Sequence, residues 1–545
     1  MASVIVAEAI SFIMRLIGAY DNCGVMMRIS LIKKIAYIYL LIPVLIFCAG
    51  WLNGIMAILL CCLIVGSLIS LFPKESQSDF IHVKPWNGIL TLVVLIIWVG
   101  LSGIGGYAFQ NWDHHSRNAV FSDLINFSWP VSYHLDAGVA QRFGAPPDVI
   151  LSYYFGFWLP AAVVGKISGP TSANLFLFLW SLLGLFLSIL LIASRIKLSL
   201  IKTTLLIIFF SGADIVGAWM LENIAGDRYP GLWPPIQHLE WWAGSLQYSS
   251  FTTSLFWTYN QFIPAFLILS LFINSKDNQG LSFLTGICFF FAPLPALGLI
   301  PFTVGLSVEG FLSFMQKSRH KVMVYFSTHL FAVETISGIL IAILSLIFFS
   351  TNISAQSRGF GLPASFALYL IFLALDGMLI WLLLLPLNKT WVWYIAGSIL
   401  ALAPFVRVGG SWDFMLRTTL PSLYILMIGC GVYISDSRDI NLRSTLLIML
   451  LFFGAFTPIY EINRSVVRTD RYYGYCLFSF GFFEGYFDHP PKTNQGFIPE
   501  TDHMGTLVAD DWLSVSIPNS EGWNTKVGNR FASVFSLIFK DKLIQ

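Results

Sequence analysis

Charge is what this chain lacks. Only 11% of its 545 residues are Asp, Glu, Lys or Arg, against roughly a quarter in a soluble domain. Hydrophobic residues make up 56% and aromatic residues 16%, and the mean hydropathy is +0.74. A soluble globular domain is excluded, and an integral membrane protein is expected. A formal net charge of +2 with no Lys/Arg tract gives no reason to expect a nucleic-acid partner. Alternation of period two is also missing, so helices are expected to cross the membrane and not a barrel. The seven cysteines are scattered, and Cys48, Cys61, Cys62, Cys288 and Cys430 sit inside apolar runs. They read as small core residues, which leaves no disulfide framework and no zinc site. A signal-peptide pattern is missing as well, because Arg15 interrupts the mildly apolar "MASVIVAEAISFIMRLIGAYDNCG". Two readings of that segment stand level: an interfacial amphipathic helix, or a chain whose start lies at Met26, just ahead of a positive flank and a first span.

What the chain does have is apolar runs near twenty residues, the length that crosses a ~30 Å hydrocarbon core as a helix. They fall at 35–51, 54–72, 89–108, 173–193, 203–219, 253–274, 282–295, 297–315, 328–350, 364–386, 391–406, 417–434 and 444–460. The expected fold is therefore an all-α polytopic helix bundle of about 13 transmembrane helices, within a range of about 11–14. Pro160 breaks the short aromatic segment 149–166, which reads as a re-entrant or interfacial helix inside a large outer loop. Three prolines in "FFFAPLPALGLIPF" either turn or only kink the pair 282–315.

Lys and Arg in short loops mark the cytoplasmic face. Lys33 and Lys34, then Arg195, Lys197 and Lys202, then Lys317, Arg319 and Lys321, then Arg438 and Arg443 are all placed there. This topology divides the chain into an N-terminal cytoplasmic or interfacial segment (1–34), a transmembrane domain (35–460) and an extracytoplasmic tail (461–545). The location expected is the inner (cell) membrane, multi-pass, with the N-terminus cytoplasmic. The polar loops 109–172, 220–252, 351–363 and 407–416 then face outward, and chemistry belongs with them.

The stretch "FQNWDHHSRNAVFSDLINFSWP" (109–130) sets Asp113, His114, His115 and Arg117 just beyond a span. A carboxylate at a partly desolvated interface can serve as a general base; a solvated polar loop is the plain alternative. Adjacent histidines point about 100° apart on a helix and seldom chelate one ion. No metal or cofactor is expected, with a divalent ion the weaker alternative. The loop 220–252 offers Glu222, Asp227, Arg228, His238 and Glu240 among tryptophans that could stack on sugar rings or form an interfacial belt. Asp214 and Asp376 lie inside spans, where a carboxylate is costly and so a functional candidate. In "APFVRVGGSWDFMLRTTLPSLYIL" (403–426), a Gly-Gly turn gathers Arg407, Asp413 and Arg417. This is either a phosphate-binding corner or a simple i,i+4 surface pair.

The acidic first outer loop with its near-membrane helix, the many spans, the aromatic outer loops and the late arginines together resemble the GT-C glycosyltransferases. The phrases "NWDHHSRNAVFSDLINFSWPV" and "GSWDFMLRTTLPSL" are similar to segments of bacterial multi-pass proteins with that layout. The resemblance covers roughly 89–434 and differs from the family's simplest layout by two spans before the acidic loop. It implies a polyprenyl-phosphate sugar donor, a glycan or lipid acceptor of the cell envelope, and a base in the first outer loop. By position Asp113 matches the base and Arg228, Arg407 or Arg417 the phosphate clamp. Arg117, His114, His115, Glu222 and Asp413 are further substrate-binding candidates. The rival readings are a transporter or flippase of lipid-linked glycans, a polysaccharide polymerase, and a non-enzymatic assembly factor.

Overall fold

A computed structural model of the chain describes residues 18–21, 24–72, 79–134, 148–223, 238–275, 278, 280–317, 325–350, 358–361, 363, 365–408, 413–436, 441–473, 515–516 and 538–540. The expected amphipathic helix at the extreme N-terminus and most of the C-terminal tail lie outside these residues. Among the described residues ten helices are long and apolar enough to cross a membrane, and three shorter apolar helices accompany them: Pro85–Leu101, Leu281–Phe291 and Trp391–Phe405. Each apolar run picked out above falls on one of these helices. The protein is a multi-pass, helical membrane protein. Its described strands form only small two- and three-stranded sheets.

Helices in an apolar medium must satisfy their polar groups internally, and this chain does so locally. Ser67, Ser181, Ser188 and Ser270 each donate to the carbonyl four residues back. Asn53, Ser250 and Asn441 cap helix starts by accepting from Met56, Thr253 and Ser444 backbone N–H groups, each cap contributing about 1 kcal/mol. Burial ranks the spans: 83% of the Phe251–Ile273 window is buried against 22% for Gly54–Leu71. The first is the central helix, and the second turns Ile55, Ile58 and Ile69 outward.

The prolines of 292–301 turn the chain. Thr285 and Thr303 share a 2.6 Å hydrogen bond across 18 residues, a separation that a straight helix would stretch to about 27 Å. Leu281–Phe291 and the start of Pro293–Lys317 therefore run side by side. Leu281–Phe291 also packs backbone to backbone on Val333–Ser350: a Cβ on Gly286 would sit 2.0 Å from the Gly338 carbonyl oxygen, a small-residue contact typical of membrane helices. The segment 149–166 ends in the ten-residue helix Leu159–Ser168, about 15 Å long and too short to span.

The two ends of the bundle differ. At one end Leu71 lies against Gly280, Lys34 over Phe72, and Lys197 and Lys202 beside Ser435. At the other, Trp51 meets Trp129, Ser152 donates to the Phe348 carbonyl, and Phe290 covers Gly156. Pieces of the tail return to this second end, where Val515–Ser516 pairs with Leu151 and Ile150 and Lys540 N–H donates to Trp51 O. The 461 boundary, drawn where hydropathy falls, cuts through one continuous helix, Phe456–Tyr473. It is called the closing helix below.

Candidate functional site

Pro85–Leu101 stops short of residue 108 because the chain turns through Gly103, Gly105 and Gly106, all at positive φ. A Cβ at Gly103 would lie 2.6 Å from Phe109 O, so this reversal needs glycine. The turn is held by Gln110, which donates to Gly103 O, and by the closing helix, whose Ser465 donates to Leu101 O and whose Thr469 accepts from Phe109 N–H. Beyond it Asn111 caps the helix Trp112–Asn126 by accepting from Asp113 N–H at 3.1 Å, which puts Asp113 in the first turn.

This site helix lies across a break in the central helix. Thr258 leaves helical geometry there (φ −136, ψ 38), and the carbonyls beside the break become anchors. Asn111 and His114 Nε2 both donate to Phe256 O, at 2.8 and 2.9 Å, and Arg117 donates to Trp257 O. Arg117 also reaches Asp113 Oδ2 at 3.0 Å. From the far side Arg417 donates to the Tyr154 hydroxyl at 3.1 Å and to Asp413 at 3.4 Å. The two guanidiniums are near enough to repel one another.

Asp113, Asp413 and Arg417 line one cavity of about 560 Å³. Its wall divides by chemistry. Trp241 and Trp257 offer ring faces; Gln247, Ser249, Thr253 and Gln261 offer hydrogen bonds; Phe262, Pro295, Leu416 and Leu420 are apolar. Gln261 is the most informative of these, because both ends of its buried amide lack a partner. Buried amides are rarely left so unless a ligand or water completes them.

A second ionic cluster backs the cavity. Glu240 is wholly buried and accepts from Ser250 N–H (2.9 Å), Thr253 Oγ1 (2.6 Å) and Gln247 Nε2 (2.7 Å). Burial pushes its carboxyl up to about 7, with the neighbouring His238 pulling the other way. His238 lines the cavity, and its Nδ1 lies 3.7 Å from Glu461 Oε1. Glu461 Oε2 accepts from Trp257 Nε1 at 3.1 Å and from Arg464 at 2.7 Å. Arg464 also sits over the Trp257 ring at 4.9 Å. Deeper still, Asp214 accepts from Trp242 Nε1, Thr457 and Ser211. Asp376 lies against it, at the irregular turn Ala374–Met378 that interrupts its helix.

The structure thus brings Asp113, Arg117, Asp413 and Arg417 together. Among the described residues, the other candidates stand apart from this group. His114 is buried, its Nε2–H spent on Phe256 O and its pKa pushed down to about 4 by burial and by Arg117, so it is a neutral anchor. Arg407 is exposed on the strand Val406–Val408, paired with Arg358–Phe360. Glu222 is exposed near the end of Asp214–Asn223 and is not among the residues lining the cavity. Arg228 and the His115 side chain lie outside the described residues. Among the described residues no group of three or more His, Cys, Asp or Glu could hold a metal ion. Sequence reasoning missed Glu461, Arg464 and Gln261. The first two follow a hydropathy run and look like the start of a tail, and Gln261 sits inside a span; the signal available was an amphipathic rather than uniformly polar pattern after residue 456. The chain matches no protein-family model, no curated protein and no solved structure.

Proposed function

We propose that the protein is a membrane glycosyltransferase of GT-C type, moving a sugar from a polyprenyl-phosphate donor to a glycan or lipid acceptor of the cell envelope. The cavity then opens at the outer face of a bundle of about 13 spans. The observation that carries this reading is the sharing of one cavity by Asp113 and Arg417, 304 positions apart in the chain. The acceptor hydroxyl gives its proton to an Asp113 carboxylate oxygen while its own oxygen attacks the anomeric carbon. The bond from that carbon to the phosphate oxygen breaks, and its electron pair leaves with the polyprenyl phosphate, whose charge Arg417 meets. A single displacement inverts the anomeric centre. Trp241 and Trp257 suit the faces of a sugar ring, the unpartnered Gln261 amide suits its hydroxyls, and the apolar wall suits the first isoprene units.

The test is Asp113→Asn in purified, vesicle-reconstituted protein given polyprenyl-phosphate sugars. Transfer is expected to fall at least about 100-fold, with membrane insertion and melting temperature preserved. Transfer retained by the variant would remove Asp113 from the chemistry. A second reading, transport of a lipid-linked glycan, draws on one observation. Asp214 and Asp376 meet where two interrupted helices cross, with Ala213 N–H donating to Leu375 O, an arrangement that transporters use for coupling ions. It predicts movement of lipid-linked substrate with no new glycosidic bond.

A further inference from the structure

At the end of the bundle opposite the Asp113 cavity lies a second cavity of about 360 Å³ that the proposed reaction does not use. It is walled by Asn278, Gly280, Leu281 and Ser282, one side of Pro293–Lys317, and the turn from Tyr325 into Val333–Ser350. Its position follows from its neighbours: Gly280 touches Leu71, next to the Lys34–Phe72 contact.

Three features of its wall point to one ligand chemistry. Glu334 lines it, is only 3% exposed, and has a carboxylate oxygen, Oε2, buried without a hydrogen-bond partner. A buried carboxylate oxygen left in this state favours a cationic donor. Tyr325 supplies an aromatic wall: its ring stacks on His329 at 4.2 Å and meets Phe311 edge-on at 5.3 Å, while its hydroxyl is fixed by donating to Ser307 O. Aromatic faces beside a carboxylate are the usual surroundings of an alkylammonium. The rim is apolar and open, with Val304 54% and Val308 49% exposed. On helices that cross a membrane, such faces meet acyl chains.

We propose that this cavity binds the primary ammonium headgroup of a membrane lipid, an aminophospholipid whose N–H groups are received by Glu334 and whose chains lie along Val304 and Val308. A carboxylate with aromatic neighbours selects the ammonium; the apolar rim selects the lipid over a free amine. The site is independent of the glycosyl-transfer reading, because no residue is shared between the two cavities.

The test measures binding of short-chain phosphatidylethanolamine, short-chain phosphatidylglycerol and free ethanolamine to the full-length protein in detergent. Phosphatidylethanolamine is expected to bind on the order of tenfold tighter than the other two. Glu334→Gln keeps the shape and removes the charge, and is expected to abolish that preference. Val308→Trp fills the cavity from its exposed rim without touching Glu334, and is expected to weaken phosphatidylethanolamine binding to a similar extent. Equal binding of the two lipids, or an unchanged preference in Glu334→Gln, overturns the proposal. Free ethanolamine binding as tightly as the lipid overturns the assignment of the source.

Discussion

Two ionic clusters meet around the larger cavity, and they are built in opposite ways. Asp113–Arg117 and Asp413–Arg417 are i,i+4 pairs, each within one helix, and their carboxylates reach solvent at 25% and 44% exposure. Glu240, His238, Glu461 and Arg464 join segments far apart in the chain, with Trp257 and Glu461 linked across 204 residues and both carboxylates fully buried. Solvent screens a carboxylate exposed to this degree, so each pair contributes about 1 kcal/mol or less although its guanidinium is more buried, and the two carboxylates are free to change partners when a substrate arrives. A buried pair broken on one side strands a charge in low dielectric. Under the proposed reaction the first cluster carries the chemistry, while the second holds the wall behind it.

The sharpest way to break that contrast is Glu461→Ala. It removes the acceptor for both Arg464 and Trp257 Nε1 and so takes a carboxylate away from a buried guanidinium. A loss of about 3–5 kcal/mol is expected, read as a large drop in melting temperature and in monodisperse yield from detergent. Replacing the pair together, Glu461→Leu with Arg464→Met, is expected to recover much of it, because the buried cation goes with its carboxylate. A Glu461→Ala protein that melts with the wild type would show the second cluster to be no more structural than the first.

The same contrast explains what was legible in the sequence. Asp113 and Arg117 announce themselves by lying just beyond a span, and Asp413 and Arg417 by four-residue spacing beside a Gly-Gly turn, neither of which needs knowledge of tertiary structure. Their convergence could be anticipated only through loop orientation. Glu461 was hidden because a hydropathy window ends where the apolar run ends, while the closing helix continues to Tyr473 with one face turned inward. The break at Thr258 was also silent: β-branched residues are common in spans, and only the φ/ψ values expose the loosened carbonyls that anchor Asn111, His114 and Arg117. His114 looked like a substrate-binding residue because its ring was visible in the sequence and its acceptor, a backbone carbonyl of another helix, was not. The apolar runs themselves were the easiest feature to place, since membrane thickness sets their length.

A smaller effect is expected from Asp413→Asn. Arg417 keeps its bond to the Tyr154 hydroxyl, so the guanidinium stays in the cavity with one restraint fewer. Stability should move by less than about 1 kcal/mol. Under the proposed reaction, the Michaelis constant for the lipid-phosphate donor should shift several-fold, with turnover held within about twofold. A collapse of turnover instead would make Asp413, and not Arg417 alone, part of the phosphate site.

The finest distinction concerns protons. Glu240 is pushed up from 4.5 to about 7 by burial, and His114 is pushed down from 6.5 to about 4 by burial and by Arg117. Between pH 4.5 and 6.5 the folded protein therefore holds an extra proton at Glu240, while the unfolded chain holds one at His114. Stability depends on the difference in protons bound, so the two slopes oppose: His114 makes the fold more stable as pH rises, and Glu240 makes it less so. Of these two, only Glu240 still titrates above about 6.5, and its penalty is complete once pH passes about 7. Glu240→Gln keeps the acceptor for Ser250 N–H and Thr253 Oγ1, and Gln247 can turn its amide to meet the new donor. In that variant the His114 slope is no longer opposed by Glu240. The gap in melting temperature over the wild type should accordingly widen steadily from pH 5 to about 7 and stay wide at pH 8. A gap that stays constant across this range would mean that Glu240 carries no proton in the folded protein at mild pH, and that the buried wall tolerates a full charge through its hydrogen bonds alone.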